Sequence, residues 1–146
     1  MFFSTPLLSD ADQLKIKSAI REAEQQTSGE IRVFVESGCK GEILDRAAFL
    51  FQQLEMHKTK LRNGVLFYLA IKEKRFAILG DGGINSKTGP HFWDEIRIVM
   101  ENNFKSGQFS AGLEKGILMA GEALRKNFPF RKDDKNELSD DIVFGK

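Results

Sequence analysis

Val65-Leu66-Phe67-Tyr68-Leu69-Ala70-Ile71, followed after Lys72-Glu73-Lys74 by Arg75-Phe76-Ala77-Ile78-Leu79-Gly80, is the stretch on which the fold turns. The first run is apolar throughout, without alternation, and too short for a comfortable helix. It has the pattern of a central strand buried on both faces. Lys72-Glu73-Lys74 leaves room only for a tight turn, so the two runs pair as an antiparallel hairpin. Upstream, Glu30 to Glu36 alternates Ile31, Val33 and Val35 with more polar neighbours, and β-branched residues favour a pleated strand. Phe34 adds an apolar residue to its second face, so this strand is also expected to be covered on both sides. Between the two strands Ile43, Ala47, Leu50, Phe51 and Leu54 recur on one face, predicting a helix from about Glu42 to Met56. A strand, helix, strand crossover is right-handed, which makes these two strands parallel.

Working outward, Ser9 followed by Asp12 is a capping-box variant, and Ile16, Ala19, Ile20 and Ala23 continue at helical spacing. Thr27-Ser28-Gly29 stops that helix. Beyond the hairpin, Asp81-Gly82-Gly83 and a loop through Asn85 and Gly89-Pro90 lead to a helix near Phe92 to Phe104, with stripe Phe92, Ile96, Val99, Met100 and Asn103. Gly107 breaks the chain before a last helix, about Phe109 to Asn127, presenting Leu113, Ile117, Ala120 and Leu124. Gly112 and Gly116 each cost that helix about 1 kcal/mol against Ala. They make sense where another backbone passes close; the plainer alternative is a weaker helix. The order predicts an α/β fold, an αβα sandwich with a small mixed β-sheet flanked by helices on both faces. One domain spans residues 1–130. Residues 131–146 read as a charged, flexible tail whose closing Ile142-Val143-Phe144 docks on the domain.

The 22 Lys and Arg against 21 Asp and Glu leave a net charge of +1, which removes the electrostatic case for a nucleic-acid or anionic-membrane binder. Thirteen Phe beside one Trp and one Tyr suit an aromatic core rather than a stacking surface. The N-terminus has no basic region before its short apolar pieces, no run reaches the length of a membrane span, and Cys39 has no intramolecular partner. The expectation is a cytoplasmic monomer.

Four segments in order, Thr27-Ser28-Gly29-Glu30-Ile31-Arg32-Val33, Asp45-Arg46-Ala47-Ala48-Phe49-Leu50-Phe51, Arg62-Asn63-Gly64-Val65-Leu66 with Leu79-Gly80-Asp81-Gly82-Gly83, and Phe104-Lys105-Ser106-Gly107-Gln108-Phe109 with Gly112 and Gly116, resemble the TPM domain. That family comprises the thylakoid-lumen acid-phosphatase-like proteins and their bacterial relatives. The resemblance covers about Ser9 to Phe130. It implies an αβα sandwich, a Ca²⁺ or Mg²⁺ site, and the phosphatase activity claimed for some plant members. Many relatives carry a signal peptide and a C-terminal membrane segment, which this sequence is not expected to have. The family's usual Gly-aromatic-Gly is here Gly80-Asp81-Gly82-Gly83, with an acid in place of the aromatic.

Asp81 is the sharpest candidate ligand, because oxygen-rich loops at strand ends suit Ca²⁺ and Mg²⁺. The topology returns Asp81 to the edge where Glu30 and Asn63 begin their strands and where the next helix supplies Asp94. These four form the predicted metal set, with Asp45, part of the family pattern, as the alternative at the opposite edge beside the turn at Glu73. The plainer alternative is that Asp81 accepts turn hydrogen bonds and that Asp45 and Asp94 favour helix N-termini. An EF-hand is excluded, since Phe92 stands where the bidentate Glu belongs, and a dinucleotide fingerprint fails at Asn85. Asp45 stands six residues after Cys39, so a Cys–Arg phosphate loop is absent. His57-Lys58-Thr59-Lys60-Leu61-Arg62 reads as a solvated basic connector or an attractor of anions, and His91 as a loop histidine or a proton donor near Asp81. The reading is a divalent-cation-binding domain. The alternatives are a metal-dependent phosphomonoester phosphatase, or a module that docks an unidentified protein through Ile142-Val143-Phe144 or an exposed Trp93.

Overall fold

A computed structural model of the chain describes residues 8–131 and 137–145. Ser9 caps the first helix, α1 (Asp10–Glu24), its hydroxyl accepting from the Asp12 amide at 3.1 Å, and α1 buries Ile16, Ala19, Ile20 and Ala23. Strand β1 (Glu30–Glu36) leads to α2 (Ile43–Gln53). This helix stops short of the expected Met56 because Glu55 adopts a left-handed backbone (φ 58°), after which Met56–Lys58 forms a 3-10 turn. Strand β2 (Gly64–Ala70) is buried at every position, as its unbroken apolar run requires. It turns through Lys74, also left-handed at φ 52°, into β3 (Arg75–Gly80).

Then follow α3 (Gly82–Asn85), α4 (Asp94–Lys105) and α5 (Phe109–Leu124). The single turn of α3 was not expected; Asp81 caps it. Helix α4 starts after Phe92, because residues 89–93 are consumed by turns, and it buries Ile96, Met100 and Phe104. Trp93, expected to be exposed, is instead 6% exposed and packs against Gly80.

The sheet runs β3-β2-β1-β4, with β1 and β2 parallel and the hairpin antiparallel, as expected. The fourth strand is β4 (Val143–Phe144), so the closing apolar segment docks as an edge strand parallel to β1 at Phe34 and Val35. Residues 132–136 of the charged segment lie outside the described residues. One face of the sheet (Ile31, Val33, Val35, Val65, Phe67, Leu69) packs on α1, α4 and α5. The other (Phe34, Leu66, Tyr68, Ala77) packs on Ala47, Leu50 and Phe51 of α2 and on Met56. Alternation of side chains across the pleat thus fills two cores with one sheet, the αβα sandwich.

Close approach explains the glycines of α5. A Cβ at Gly112 would meet Asn103 Cβ at 2.8 Å, and one at Gly116 would meet Met100 Sδ at 2.5 Å, both on α4. The backbone contact itself falls one turn on, at Gly121 against Ala23 of α1. Among the described residues no helix is long and apolar enough to cross a membrane.

Candidate functional site

The backbone assembles the predicted edge. Glu30 lies opposite Gly64, Val65 opposite Gly80, the Glu30 amide donates to Asn63 O at 3.2 Å, and the Asp81 amide donates to Gly64 O at 2.9 Å. The four side chains, however, take different partners. Asp81 accepts a two-pronged bond from Arg62 (Nε and Nη2, both 2.8 Å) and a third from the Gly82 amide at 2.7 Å. Glu30 accepts from the Glu137 amide at 2.6 Å. Asn63 Nδ2 donates to Ser28 O and Oγ at 3.3 and 3.4 Å, while its Oδ1 is buried without a partner. Asp94 bonds His91 Nδ1 in the turn before α4 (2.9 Å) and Arg97 in the first turn of α4 (3.4 Å), and is half exposed. The pleat is the reason: Glu30 shares the α2 face with Phe34, and Asn63 continues the opposite face of Val65. Among the described residues no three His, Cys, Asp or Glu side chains group as a metal centre would require.

Two local clusters flank this edge. On the β2–β3 side, Asp81 lines a cavity of about 320 Å³ with Phe51, Gln52, His57, Arg62 and Asn85. Burial alone would raise the Asp81 carboxyl. The Arg62 and Gly82 hydrogen bonds, with the Arg62 and His57 charges, hold it below the usual carboxylate range. His57, whose Nδ1 is buried without a partner, therefore stands by Asp81, and His91 is largely exposed.

On the open side of β1, β4 reaches only Phe34 and Val35, so the Ile31 amide has no strand partner. Glu24, in the last turn of α1, accepts it at 3.0 Å. Glu24 and Glu30 also hydrogen-bond each other, and Asp140 bonds Glu24. Burial, reinforced by Asp140 and by the Glu30 charge, pushes the Glu24 carboxyl up to about 10, and burial raises Glu30 as well. Glu24 is the candidate residue that sequence reasoning missed. Its signal was an acid in the last turn of a helix, where the macrodipole opposes negative charge.

At the opposite edge Asp45 is exposed in the first turn of α2. The neighbouring carboxylates are saturated. Glu73 accepts from the Cys39 amide at 3.0 and 3.1 Å. Glu36, 4% exposed, accepts from Arg46 Nε and Nη2 (2.9 and 3.0 Å) and from the Tyr68 hydroxyl, which lower its carboxyl against burial. Arg46→Gln leaves that charge short of donors, and chemical denaturation is expected to show a loss of about 2 kcal/mol, discounted because Arg46 is one-third exposed. An unchanged midpoint would mean that Tyr68 and water suffice for Glu36.

The same architecture occurs in solved structures. The NMR structure of the BA42 protein from the psychrophilic bacterium Bizionia argentinensis superposes with a TM-score of 0.92 at 45% identity, over 99% of this chain and 100% of that one. An N-terminal domain from P. gingivalis is 22% identical (TM-score 0.69; 84% of this chain, 79% of that one) and shares the fold. So does the N-terminal domain of the cg2496 protein from Corynebacterium glutamicum, 14% identical (TM-score 0.62; 94% and 80%). No curated protein matches the chain. The TPM domain model matches residues 3–123, which takes in the Glu24–Glu30 edge, the Asp81 hairpin and the α4–α5 pair. With that match and the 45% identity to BA42, the chain belongs to the TPM domain family.

Proposed function

We propose that this TPM domain binds a divalent cation, Ca²⁺ or Mg²⁺, at the amino edge of β1, with Glu24 and Glu30 supplying the negative charge. One observation carries the reading: two desolvated carboxyls hydrogen-bonded to each other, pinned by the Ile31 and Glu137 amides. With Glu24 pushed up to about 10, the pair holds a proton at neutral pH. A hard cation takes the place of that proton, and carboxylate oxygens are the donors it prefers. Asn63 Oδ1, just before β2, is buried without a partner at the same edge but on the other face of the sheet, so it is not counted in the set. Asp81 is the competing position. Both its oxygens already bond Arg62, so a cation there must displace a guanidinium whose side chain is 55% exposed and free to swing away. Asp94, with its own helix partners, and exposed Asp45 serve as comparison positions.

Two carboxylates and a proton to displace give an affinity on the order of 10⁻⁴–10⁻³ M. Because one proton leaves for each cation bound, affinity is expected to rise about tenfold per pH unit between pH 6 and 8. Calorimetry in two buffers of different ionisation enthalpy measures that release directly. Amide shifts on titration with Ca²⁺ and then Mg²⁺ locate the site. Glu24→Gln and Glu30→Gln are expected to abolish saturation, and Asp81→Asn to leave it. The reverse order moves the cation to the Asp81 cavity, and no saturable shift up to about 10 mM cation ends the reading. Metal-dependent phosphomonoester hydrolysis requires the same cation and stops with the same substitutions. Of the two surfaces considered for a docking module, Trp93 is buried and Val143–Phe144 is paired within the sheet.

A further inference from the structure

Arg32 lies at the centre of β1, on the strand facing α2, and lines a second cavity of about 310 Å³. The other walls are Leu54 and Glu55 beyond α2, Lys58 at the end of the 3-10 turn and Thr59 after it, and Glu137, Leu138 and Ser139 of the closing segment. Arg32 Nε is buried without a hydrogen-bond partner, and the Arg32 charge reaches the Asp141 carboxylate, whose own bond is to Lys17. The carboxylates around it are engaged elsewhere. Glu55 bonds Lys58 Nζ at 3.0 Å, Glu137 Oε2 accepts from the Lys60 amide at 3.2 Å, and Asp141 bonds Lys17 at 2.9 Å. A desolvated N–H donor on a permanent cation is costly to leave unpaired, and a cavity beside it gives a ligand room to pair it.

The walls also select the ligand. The charges of Arg32 and Lys58 balance those of Glu55 and Glu137, so a dianion gains no net attraction from the walls. A planar monoanion matches the guanidinium fork. Leu54 and Leu138 offer an apolar surface next to it. We propose that this cavity binds a small carboxylate ligand, its oxygens on Arg32 and a short apolar group against Leu54 and Leu138.

The test is a titration of the wild-type protein with isobutyrate, and separately with orthophosphate, followed at the Arg32 Nε–Hε resonance and the Thr59 and Ser139 amides. The resonance is assigned by its disappearance in Arg32→Lys. Isobutyrate is expected to move all three saturably at millimolar concentration, orthophosphate to move them less than half as far. Arg32→Gln is expected to abolish the Thr59 and Ser139 shifts while folding with unreduced stability, because it removes an unpaired buried donor rather than a contact. A linear, non-saturating response to isobutyrate overturns the site, and so does saturation by orthophosphate alone. The wild-type resonance decides the matter even if Arg32→Gln does not fold.

Discussion

Glu24→Gln is expected to stabilise the protein at neutral pH by about 2–3 kcal/mol, the reverse of what removing a hydrogen-bonded buried residue normally does. The amide keeps an oxygen for the Ile31 N–H and removes only the need to take up a proton on folding. Glu24 has its carboxyl raised from 4.5 to about 10 in the fold, mainly by burial and then by Asp140 and Glu30. A raised carboxyl means that the folded state keeps a proton the unfolded chain has released. Its contribution is therefore harmless below about pH 4.5, where both states are protonated, and grows more unfavourable as the pH climbs toward the folded value. Gln cannot titrate, so the variant and the wild type should unfold alike at pH 4 and diverge progressively through pH 8. Urea denaturation at both pH values, with chelator present, reads the difference. Coincident curves at pH 8 would show that Glu24 ionises freely and would remove the basis for the cation site. Saturating Ca²⁺ should narrow the gap by raising the wild type alone, since the variant has no charge to offer.

Gly83→Ala and Gly82→Ala should differ in sign although the residues are neighbours in one loop. A Cβ at Gly83 would stand 2.2 Å from Leu61 O and 2.5 Å from Arg62 O. These are backbone atoms that cannot rotate aside, and the Gly83 amide is tied to Arg62 O at 2.8 Å. Arg62 is itself left-handed (φ 52°), which helps to fix the loop that presents its side chain to Asp81. The substitution must push the Arg62 loop off the hairpin, a loss of about 3 kcal/mol and a drop in melting temperature of roughly 10 °C. At Gly82 a Cβ meets nothing within 4 Å, and Ala there gains about 0.5 kcal/mol from a less flexible unfolded chain. Equal melting temperatures for the two variants would show that the Leu61–Arg62 loop yields easily.

Most of the framework was legible because the patterns are local. Unbroken apolar β2, alternating β1 and the helical stripes of α1 and α2 each declare an element without reference to the rest. The crossover and the tight hairpin leave one parallel and one antiparallel pairing. Helix ends were less legible, since α2 stops at a left-handed Glu55 that no composition marks, and the turns at residues 89–93 delay α4. The fourth strand was foreseen only as a docking segment. A two-residue strand carries too little pattern to specify its pairing, and its register is set by β1.

For the candidate site the division is sharper. The linear pattern was enough to bring Glu30, Asn63 and Asp81 to one edge of the sheet, because strand order and hairpin length dictate where backbones go. It also marked Asp81 as chemically unusual. Which charges meet depends on the packing of the elements in three dimensions. It set Arg62 on Asp81, His57 rather than His91 beside them, Glu24 on Glu30 with Asp140, and left Arg32 Nε without a described hydrogen-bond partner. Each of those pairings joins residues from different elements. It depends on side-chain direction, on burial and on a few ångströms of approach, and a linear pattern of residue types encodes none of these.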